Sequence, residues 1–443
     1  MSLTLPRGIQ AFSHRNYRLF FAGQATSLIG TWMQQVAQAW LVLLLTGDVL
    51  WLGVIAAAQF IPVLVLGLFA GVLADALPKR RTLLVTQAVK MSLSVALAVI
   101  AIANIESIPL LLVIALAIGT ANAFDMPVRQ SFVVEMVGRE DIGNAVALNS
   151  AMFNSARIIG PAIAGLLIGA VGVAAAFVID ALSFLAVIAA LLLMDLAQLR
   201  PSPPIARPHS VGDVRVQLAE GLGYVRRTPL VLIAVLVIGL VSTVAINFSV
   251  IIPAYARDVL HGDAATYGFL MAASGVGSLL AALWLAFGGG GKPRRIATGA
   301  IGLGLGETVL AASHVVPVSM LIMVGVGFGA ITMATSANTT MQLAVPDELR
   351  GRVMSVYTTI FAGSTPIGGP IMAAIASWAG VAVSLAVGGL LSVGIGVVAF
   401  VRLRQLGLDR PLQVPPAPYA SGAPKTSAAL RPPNPNEVLS TRS

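Results

Sequence analysis

The chain has 443 residues, of which 57% are hydrophobic and only 10% are charged. A soluble domain carries about 25% charged residues, so this composition excludes an ordinary soluble protein and predicts a chain that lies largely in lipid. The net charge of +9 comes from basic residues in short loops between apolar runs, which argues against a nucleic-acid-binding face. With no cysteine and 4 histidines that lack metal-ligand spacing, the sequence predicts neither disulfides nor a metal site.

Twelve apolar runs are long enough to cross a bilayer as helices, which takes about 20 residues each. They begin near residues 17, 50, 82, 108, 142 and 173, and then near residues 229, 264, 293, 318, 350 and 381. The first run lacks the short core and cleavage site of a secretory signal peptide. The sequence therefore predicts an all-α polytopic membrane protein with twelve transmembrane helices.

Basic residues occupy every second loop, whereas the alternate loops hold acidic residues and a single arginine, Arg257. Because basic loops resist translocation, this alternation predicts that the basic loops and both termini lie in the cytoplasm. The basic cluster after the second run, Lys79–Arg81, recurs after the eighth run as Lys292, Arg294 and Arg295. The pair Gly160-Pro161 likewise recurs as Gly369-Pro370. These repeats predict two pseudo-symmetric bundles of six helices with a substrate site between them.

The predicted organisation has five parts: a cytoplasmic N-terminal segment (1–16), an N-terminal bundle (17–197), a linker (198–228), a C-terminal bundle (229–404) and a proline-rich tail (405–443). Apolar residues three and four positions apart in the linker predict a short amphipathic helix on the cytoplasmic surface. That helix serves either as a plain tether or in regulation. The composition of the tail predicts cytoplasmic disorder.

The loop after the second run carries a glycine, an aspartate and basic residues at fixed spacing. It resembles the loop between helices 2 and 3 of the major facilitator superfamily, although Ala76 and Pro78 replace a usual basic residue and a usual glycine. The resemblance implies that Asp75, Lys79, Arg80 and Asp125 form a charge network that locks the halves when the inner side is closed. The gating residues implied are Gly71, Asp75, Lys79, Arg80, Arg81 and Asp125.

The fifth run contains a proline flanked by glycines, at Gly160, Pro161 and Gly165, with Arg157 one turn earlier. This stretch resembles the kink motif of the antiporter branches of the superfamily, although Ala164 replaces one of its glycines, and the resemblance favours export. The alternative is a kink used only for packing. An arginine this deep in a span needs an acidic partner or an anionic ligand.

Polar residues recur on one face of the first, fourth, seventh and tenth runs, and the resemblance implies that these faces line a central path. The alternative is hydrogen bonding between helices without ligand contact. Asp180 and Glu307 are the candidates for proton coupling, because a carboxyl group buried in a span can exchange a proton. The candidate path residues are Gln24, Thr31, Gln34, Gln38, Asn122, Asn247, Thr335 and Asn338.

Further stretches, including His14–Gln24, Asn144–Asn149 and Leu349–Met354, resemble bacterial siderophore exporters of the enterobactin type and macrolide-type efflux proteins, the transmembrane secretion effectors. The resemblance implies a monomeric proton antiporter of the bacterial inner membrane that exports a siderophore-like or drug-like molecule without a cofactor. Uptake and a non-transporting receptor or assembly partner remain as alternatives. The loop at 288–293 lacks the residues of a phosphate-binding loop, and no catalytic constellation points to an enzyme.

Overall fold

The structure, a computed structural model, describes residues 7–200, 211–287 and 291–410, with the backbone alone at 7–8, 68–76 and 211–218. All regular elements in these ranges are helical. The predicted tail lies outside the described residues beyond residue 410, as does part of the linker, 201–210.

Six long helices form the N-terminal half. They are α1 (Arg15–Thr46), α2 (Val49–Ala76), α3 (Lys79–Ile102), α4 (Ile108–Val137), α5 (Ile142–Val171) and α6 (Val173–Leu192). Short 3-10 turns lie at Arg7–Ser13 and Leu196–Gln198. The linker contains α7 (Val211–Arg227).

The C-terminal half begins with a broken helix. Its first part, α8 (Pro229–Val244), is followed by α9 (Phe248–Ala254) and a π-helical turn at Tyr255–Val259. The remaining helices are α10 (Ala264–Phe287), α11 (Arg294–Ala311), α12 (Val316–Ala344), α13 (Asp347–Ala379) and α14 (Val381–Gln405).

Eleven stretches in the described part of the chain are long and apolar enough to cross a membrane, and the whole segment Pro229–Val259 counts as one of them. The twelfth predicted span corresponds to α11, whose 18 residues include the charged Arg294, Arg295 and Glu307. The predicted helix starts agree with the observed ones to within three residues.

Two equivalent turns show the internal repeat in the backbone. Gly172 joins α5 to α6 with φ 91°, and Gly380 joins α13 to α14 with φ 97°. Side-chain-bearing residues rarely adopt such dihedral angles, so a lone glycine can end one helix and begin the next. The same solution at the same place in each half supports the predicted pseudo-symmetry.

The two halves meet along two helix pairs, α5 with α10 and α2 with α13. In the first pair, Gly268 packs against the Pro161 carbonyl oxygen and Gly165. In the second pair, a Cβ on Gly53 would lie 2.7 Å from the Gly369 carbonyl oxygen. Each recurring Gly-Pro pair therefore lies in a joint between the halves, where a glycine on the partner helix permits close backbone approach.

Helix α7 packs against α13 and α8 of the C-terminal half. Glu220 forms an ion pair of 2.8 Å with Arg352, and the Tyr224 hydroxyl donates to the Ala344 carbonyl oxygen at 3.5 Å. The linker helix is thus attached to one half.

Candidate functional site

The helices define two ends of the molecule. We call the end that carries Lys79 and Arg294 the basic end, and the end that carries Asp48 and Glu106 the acidic end. The predicted path between the halves would run from one end to the other, so we compare the contacts and accessibility at each end.

The acidic end is closed by contacts between the halves. The Arg257 guanidinium, on the π-helical turn, donates from Nη1 to the Leu43 carbonyl oxygen at 3.2 Å and from Nη2 to the Gly47 carbonyl oxygen at 2.9 Å. Below this contact, the rings of Trp40 and Tyr267 stack with centroids 6.4 Å apart. An arginine therefore binds the carbonyl-rich end of α1, where the helix dipole favours a cation.

Accessibility along α5 shows that the path opens toward the basic end. Residues at spacings of three and four on one face of this helix change from exposed to buried along the chain. Val146, Ser150 and Phe153 are exposed, Arg157 is partly buried, and Pro161 is fully enclosed. The same face contacts α10 of the other half near Pro161. We infer that the halves separate from about Arg157 toward the basic end and leave a cleft there.

Three side chains form the floor of this cleft. Trp32 of α1 and Phe153 of α5 make an edge-to-face pair with centroids 5.7 Å apart, and the Arg157 guanidinium lies 6.0 Å from the Trp32 ring. Gly160 lets α1 approach α5 here, because a Cβ on it would lie 2.5 Å from the Trp32 Cβ. The proline–glycine stretch of α5 thus positions both the joint and the cleft floor.

The predicted path residues of α1 are mostly enclosed. Gln24, Gln34 and Gln38 are buried, whereas Thr31 is partly buried. Gln34 Nε2 donates to Gln38 Oε1 at 2.6 Å, and Gln38 Nε2 and Gln24 Oε1 have no partner in the described part of the chain. Unpaired amide atoms at this depth are costly, which makes this face a candidate for contact with water or cargo.

The other predicted path residues differ in accessibility. On α12, Thr335 is exposed and Asn338 is partly buried, with its Oδ1 accepting from Gln342 Nε2 at 2.5 Å. On α4, Asn122 is partly buried. Asn247 lies in the break between α8 and α9, where its Nδ2 donates to the Thr243 carbonyl oxygen at 2.8 Å.

Asp125 is the centre of a buried charge cluster in the N-terminal half. Its Oδ1 accepts from Thr86 Oγ1 at 2.9 Å and Gln87 Nε2 at 2.7 Å. Its Oδ2 lies 3.2 Å from Lys90 Nζ and 3.5 Å from Arg129 Nη2. A fully buried carboxylate is stable only with such partners, so this cluster holds α3 against α4.

The predicted gating residues have other partners in this structure. Lys79 pairs with Glu135, and Arg80 Nε donates to the Leu191 carbonyl oxygen at 2.7 Å. Asp125 is not paired with these two cations in this structure, because the antiparallel register of α3 and α4 places Lys79 beside Glu135 and Lys90 beside Asp125. Arg81 is exposed. For Gly71 and Asp75 the structure describes the backbone alone.

The two candidate proton-coupling carboxylates occupy different halves. Asp180 of α6 accepts from Ser94 Oγ at 2.5 Å through Oδ2, and its buried Oδ1 has no partner in the described part of the chain. Glu307 of α11 is buried and lines a small cavity together with Asn247 and Ser384. This cavity borders the break between α8 and α9. Both carboxyl groups are therefore enclosed within the helix bundles.

Comparison with known proteins decides the family. Residues 8–420 match the family described as transmembrane secretion effector, within the major facilitator superfamily. The chain belongs to this family. It is 31% identical to the multidrug efflux pump Tap of Mycolicibacterium fortuitum over 86% of this chain and 95% of that protein. It is 23% identical to the staphyloferrin A transporter of Staphylococcus aureus over 88% and 97%.

Solved structures of transporters share the fold of this major facilitator protein. A POT family transporter in complex with 5-aminolevulinic acid superimposes with a TM-score of 0.71 at 12% identity, over 89% of this chain and 97% of that one. The nucleoside transporter NupG gives 0.67 at 11% identity, over 88% and 98%. At these identities, the likeness shows the fold alone.

Several functional features of this transporter were not predicted from the sequence. Glu135 and Lys90 are partners in the charged clusters, but the antiparallel register of α3 and α4 is needed to pair them. Arg129 pairs with Asp125 one turn away on the same helix. Arg257 was recognisable in the sequence as unusual, since it is the single arginine in the loops that otherwise hold acidic residues. A basic residue that departs from the positive-inside pattern indicates a specific contact.

Proposed function

We propose that this protein is a secondary active exporter that moves a siderophore-like or drug-like small molecule across the bacterial inner membrane in exchange for protons. Its relatives include a multidrug efflux pump and a siderophore transporter, which supports this cargo class. In this proposal the protein moves the cargo without changing it chemically. It acts as a monomer with both termini in the cytoplasm, as the basic end supports.

The observation that supports this proposal is the change along one face of α5 from exposed residues at the basic end to the enclosed Pro161. A path accessible at one end and closed at the other by Arg257 is half of an alternating-access cycle. With the basic end in the cytoplasm, cargo enters the cleft there. Rocking of the halves about the two Gly-Pro joints then closes the cleft and opens the acidic end.

Proton coupling in this proposal uses Asp180 or Glu307. A buried carboxyl group without a cationic partner is stable when protonated and costly when charged. Loss of its proton therefore has to be coupled to a rearrangement that hydrates or pairs it. The predicted network of Asp75, Lys79, Arg80 and Asp125 belongs to the opposite state, with the basic end closed, and stays part of the proposal.

Transport in everted membrane vesicles tests the proposal. With an imposed proton gradient, vesicles should accumulate one or more members of a panel of radiolabelled siderophores and hydrophobic antibiotics. Asp180→Asn or Glu307→Gln should abolish gradient-driven accumulation while cargo exchange without a gradient persists. Glu140→Gln, at an exposed ion pair with Arg200, is the matched control and should transport normally.

Three results would contradict this function. Greater cargo accumulation in cells that carry the protein than in a null strain would indicate uptake. Gradient-driven accumulation by both carboxyl variants would remove these residues from coupling. An absence of flux for the entire panel, with no cargo-dependent protection of the path, would favour a receptor or assembly partner.

A further inference from the structure

The ionisable residues within the described spans differ in whether they have partners. Asp125 is paired with Lys90 and Arg129, and Asp180 accepts a hydrogen bond from Ser94. In contrast, no hydrogen bond or ion pair to Arg157 occurs among the described residues, and its buried Nε is unpaired. A guanidinium has five N–H donors and remains charged, so its position in a span requires an anion or water.

The position of Arg157 makes a ligand the better explanation. It is the innermost accessible residue on a face of α5 whose earlier members, Ser150 and Phe153, are exposed. Ser155 and Ile159 are also exposed, but they lie on the opposite face of α5, which is turned away from the joint with α10. Arg157 therefore points toward the cleft between the halves, where a molecule entering from the basic end would reach it.

The neighbours of Arg157 define the chemistry of the ligand. Trp32 and Phe153 present aromatic surfaces beside the guanidinium, at an edge-to-face distance of 5.7 Å from each other. A carboxylate suits the guanidinium because it accepts two parallel hydrogen bonds. A planar apolar group attached to that carboxylate would stack on the aromatic rings.

We propose that Trp32, Phe153 and Arg157 form the cargo subsite, and that it selects a carboxylate joined to a planar apolar group. This inference rests on the proposed function, because it names the substrate class of the same cleft. Arg157 binds the carboxylate, and the two aromatic rings bind the apolar part. While the cleft is empty, the Trp32 ring is the group that stabilises the cation.

Protection of a single thiol tests this subsite. The chain has no cysteine, so Ser150→Cys, about 10 Å from Arg157 along α5, would be the only thiol in the protein. We would measure its rate of labelling by a fluorescent maleimide in nanodiscs of zwitterionic lipid, with 2-naphthoate or its neutral amide, 2-naphthamide, as competitor. Glu140→Cys, exposed at the basic end of α5, is the control thiol.

We expect 2-naphthoate to protect the thiol at Ser150 at concentrations at least tenfold lower than 2-naphthamide. Arg157→Gln should remove this preference, Arg157→Lys should retain part of it, and Glu140→Cys should label equally under all conditions. Equal protection by the acid and the amide in the Ser150→Cys protein would overturn the proposal, even if no Arg157 variant folds. Protection only by added phosphatidylglycerol would overturn it in favour of a lipid headgroup.

The measurement separates this inference from the proposed function. Thiol protection needs neither a proton gradient nor flux. A protein that transports without preferring the acid refutes the subsite alone, whereas one that prefers the acid without transporting refutes the exporter alone.

Discussion

The two joints between the halves share the same close backbone packing but differ in the residue that precedes the proline by one turn. In α5, Arg157 precedes Pro161 by four residues, and in α13 the equivalent position before Pro370 is occupied by Pro366. Both joints place a Gly-Pro pair against a glycine of the opposite half, Gly268 or Gly53. The repeat therefore preserves the close packing at the joint, while the charged residue one turn before the proline occurs in α5 only.

The same asymmetry extends through the halves. In the N-terminal half, Lys90, Asp125 and Arg129 form a buried cluster, and the spans also contain Arg157 and Asp180. In the C-terminal half, Glu307 is buried without a charged partner among the described residues. This comparison indicates that ion pairs to a buried carboxylate support the structure of one half, whereas the buried Glu307 of the other half has no ion pair to lose.

The largest effect expected from this comparison is on stability. Asp125→Asn should destabilise the protein by about 3–5 kcal/mol, because it leaves Lys90 and Arg129 without their carboxylate. Glu307→Gln should leave stability unchanged or raise it, since no ion pair is lost. Thermal unfolding midpoints of the purified proteins in detergent measure both changes.

Glu140→Gln is the control for this pair of variants, because its ion pair with Arg200 is exposed and its loss should not move the midpoint. If Asp125→Asn and Glu307→Gln unfold at the same temperature, the two halves do not differ in the way described.

A smaller effect is expected at the joints. Gly268→Ala would drive a Cβ into the Pro161 carbonyl oxygen, and Gly53→Ala would bring one to 2.7 Å from the Gly369 carbonyl oxygen. Overpacking of this kind costs about 1–3 kcal/mol, so both variants should lose stability and transport to a similar extent. Thermal midpoints and vesicle accumulation report the two losses.

Gly325→Ala on α12 is the matched substitution, because no atom lies within 4 Å of the added Cβ. It should be neutral or stabilising by about 0.5–1 kcal/mol. Loss of function in only one joint variant would show that the two joints are not mechanically equivalent.

The smallest effect is expected at the closed acidic end. Arg257→Gln removes charge-assisted hydrogen bonds to the Leu43 and Gly47 carbonyl oxygens, which at this half-exposed site are worth about 1 kcal/mol. The closed population should fall about fivefold relative to the open one. Spin labels at Glu106→Cys and His314→Cys, one in each half, would report a longer distance by double electron–electron resonance.

Arg139→Gln, which alters an exposed arginine at the basic end, should leave that distance distribution unchanged. An unchanged distribution in Arg257→Gln would mean that the Trp40–Tyr267 stack closes the acidic end unaided.

Hydropathy and loop charge were sufficient to predict the helices. A bilayer sets the length of a spanning helix, and basic loops collect on one side of it. The Gly-Pro pairs also predicted where symmetry-related packing occurs. The break at residues 245–247 was not predicted, since the apolar run continues through it without glycine or proline. Composition alone does not reveal that interruption.

The candidate site was predictable in part. Burial of Asp180 and Glu307 follows from their place inside apolar runs. One partner of Asp125, Arg129, lies one turn further along the same helix. The other, Lys90, could not be predicted, because its place depends on how α3 packs along α4, and a shift of one turn would take it away from Asp125. The closing role of Arg257 likewise depends on which half its loop faces. Its place in the sequence carries no information on that point.

Attachment of α7 to α13 limits how far apart the halves can travel. Arg200 is held on the N-terminal side, where its backbone N–H donates to the Glu135 carbonyl oxygen at 2.9 Å, and Glu220 is held on the C-terminal side by Arg352. The segment from Arg200 to Val211 has eleven Cα–Cα steps, so its fully extended length is on the order of 40 Å. Deleting residues from this segment would thus set an upper limit, by chain length alone, on the distance by which the two attachment points can separate.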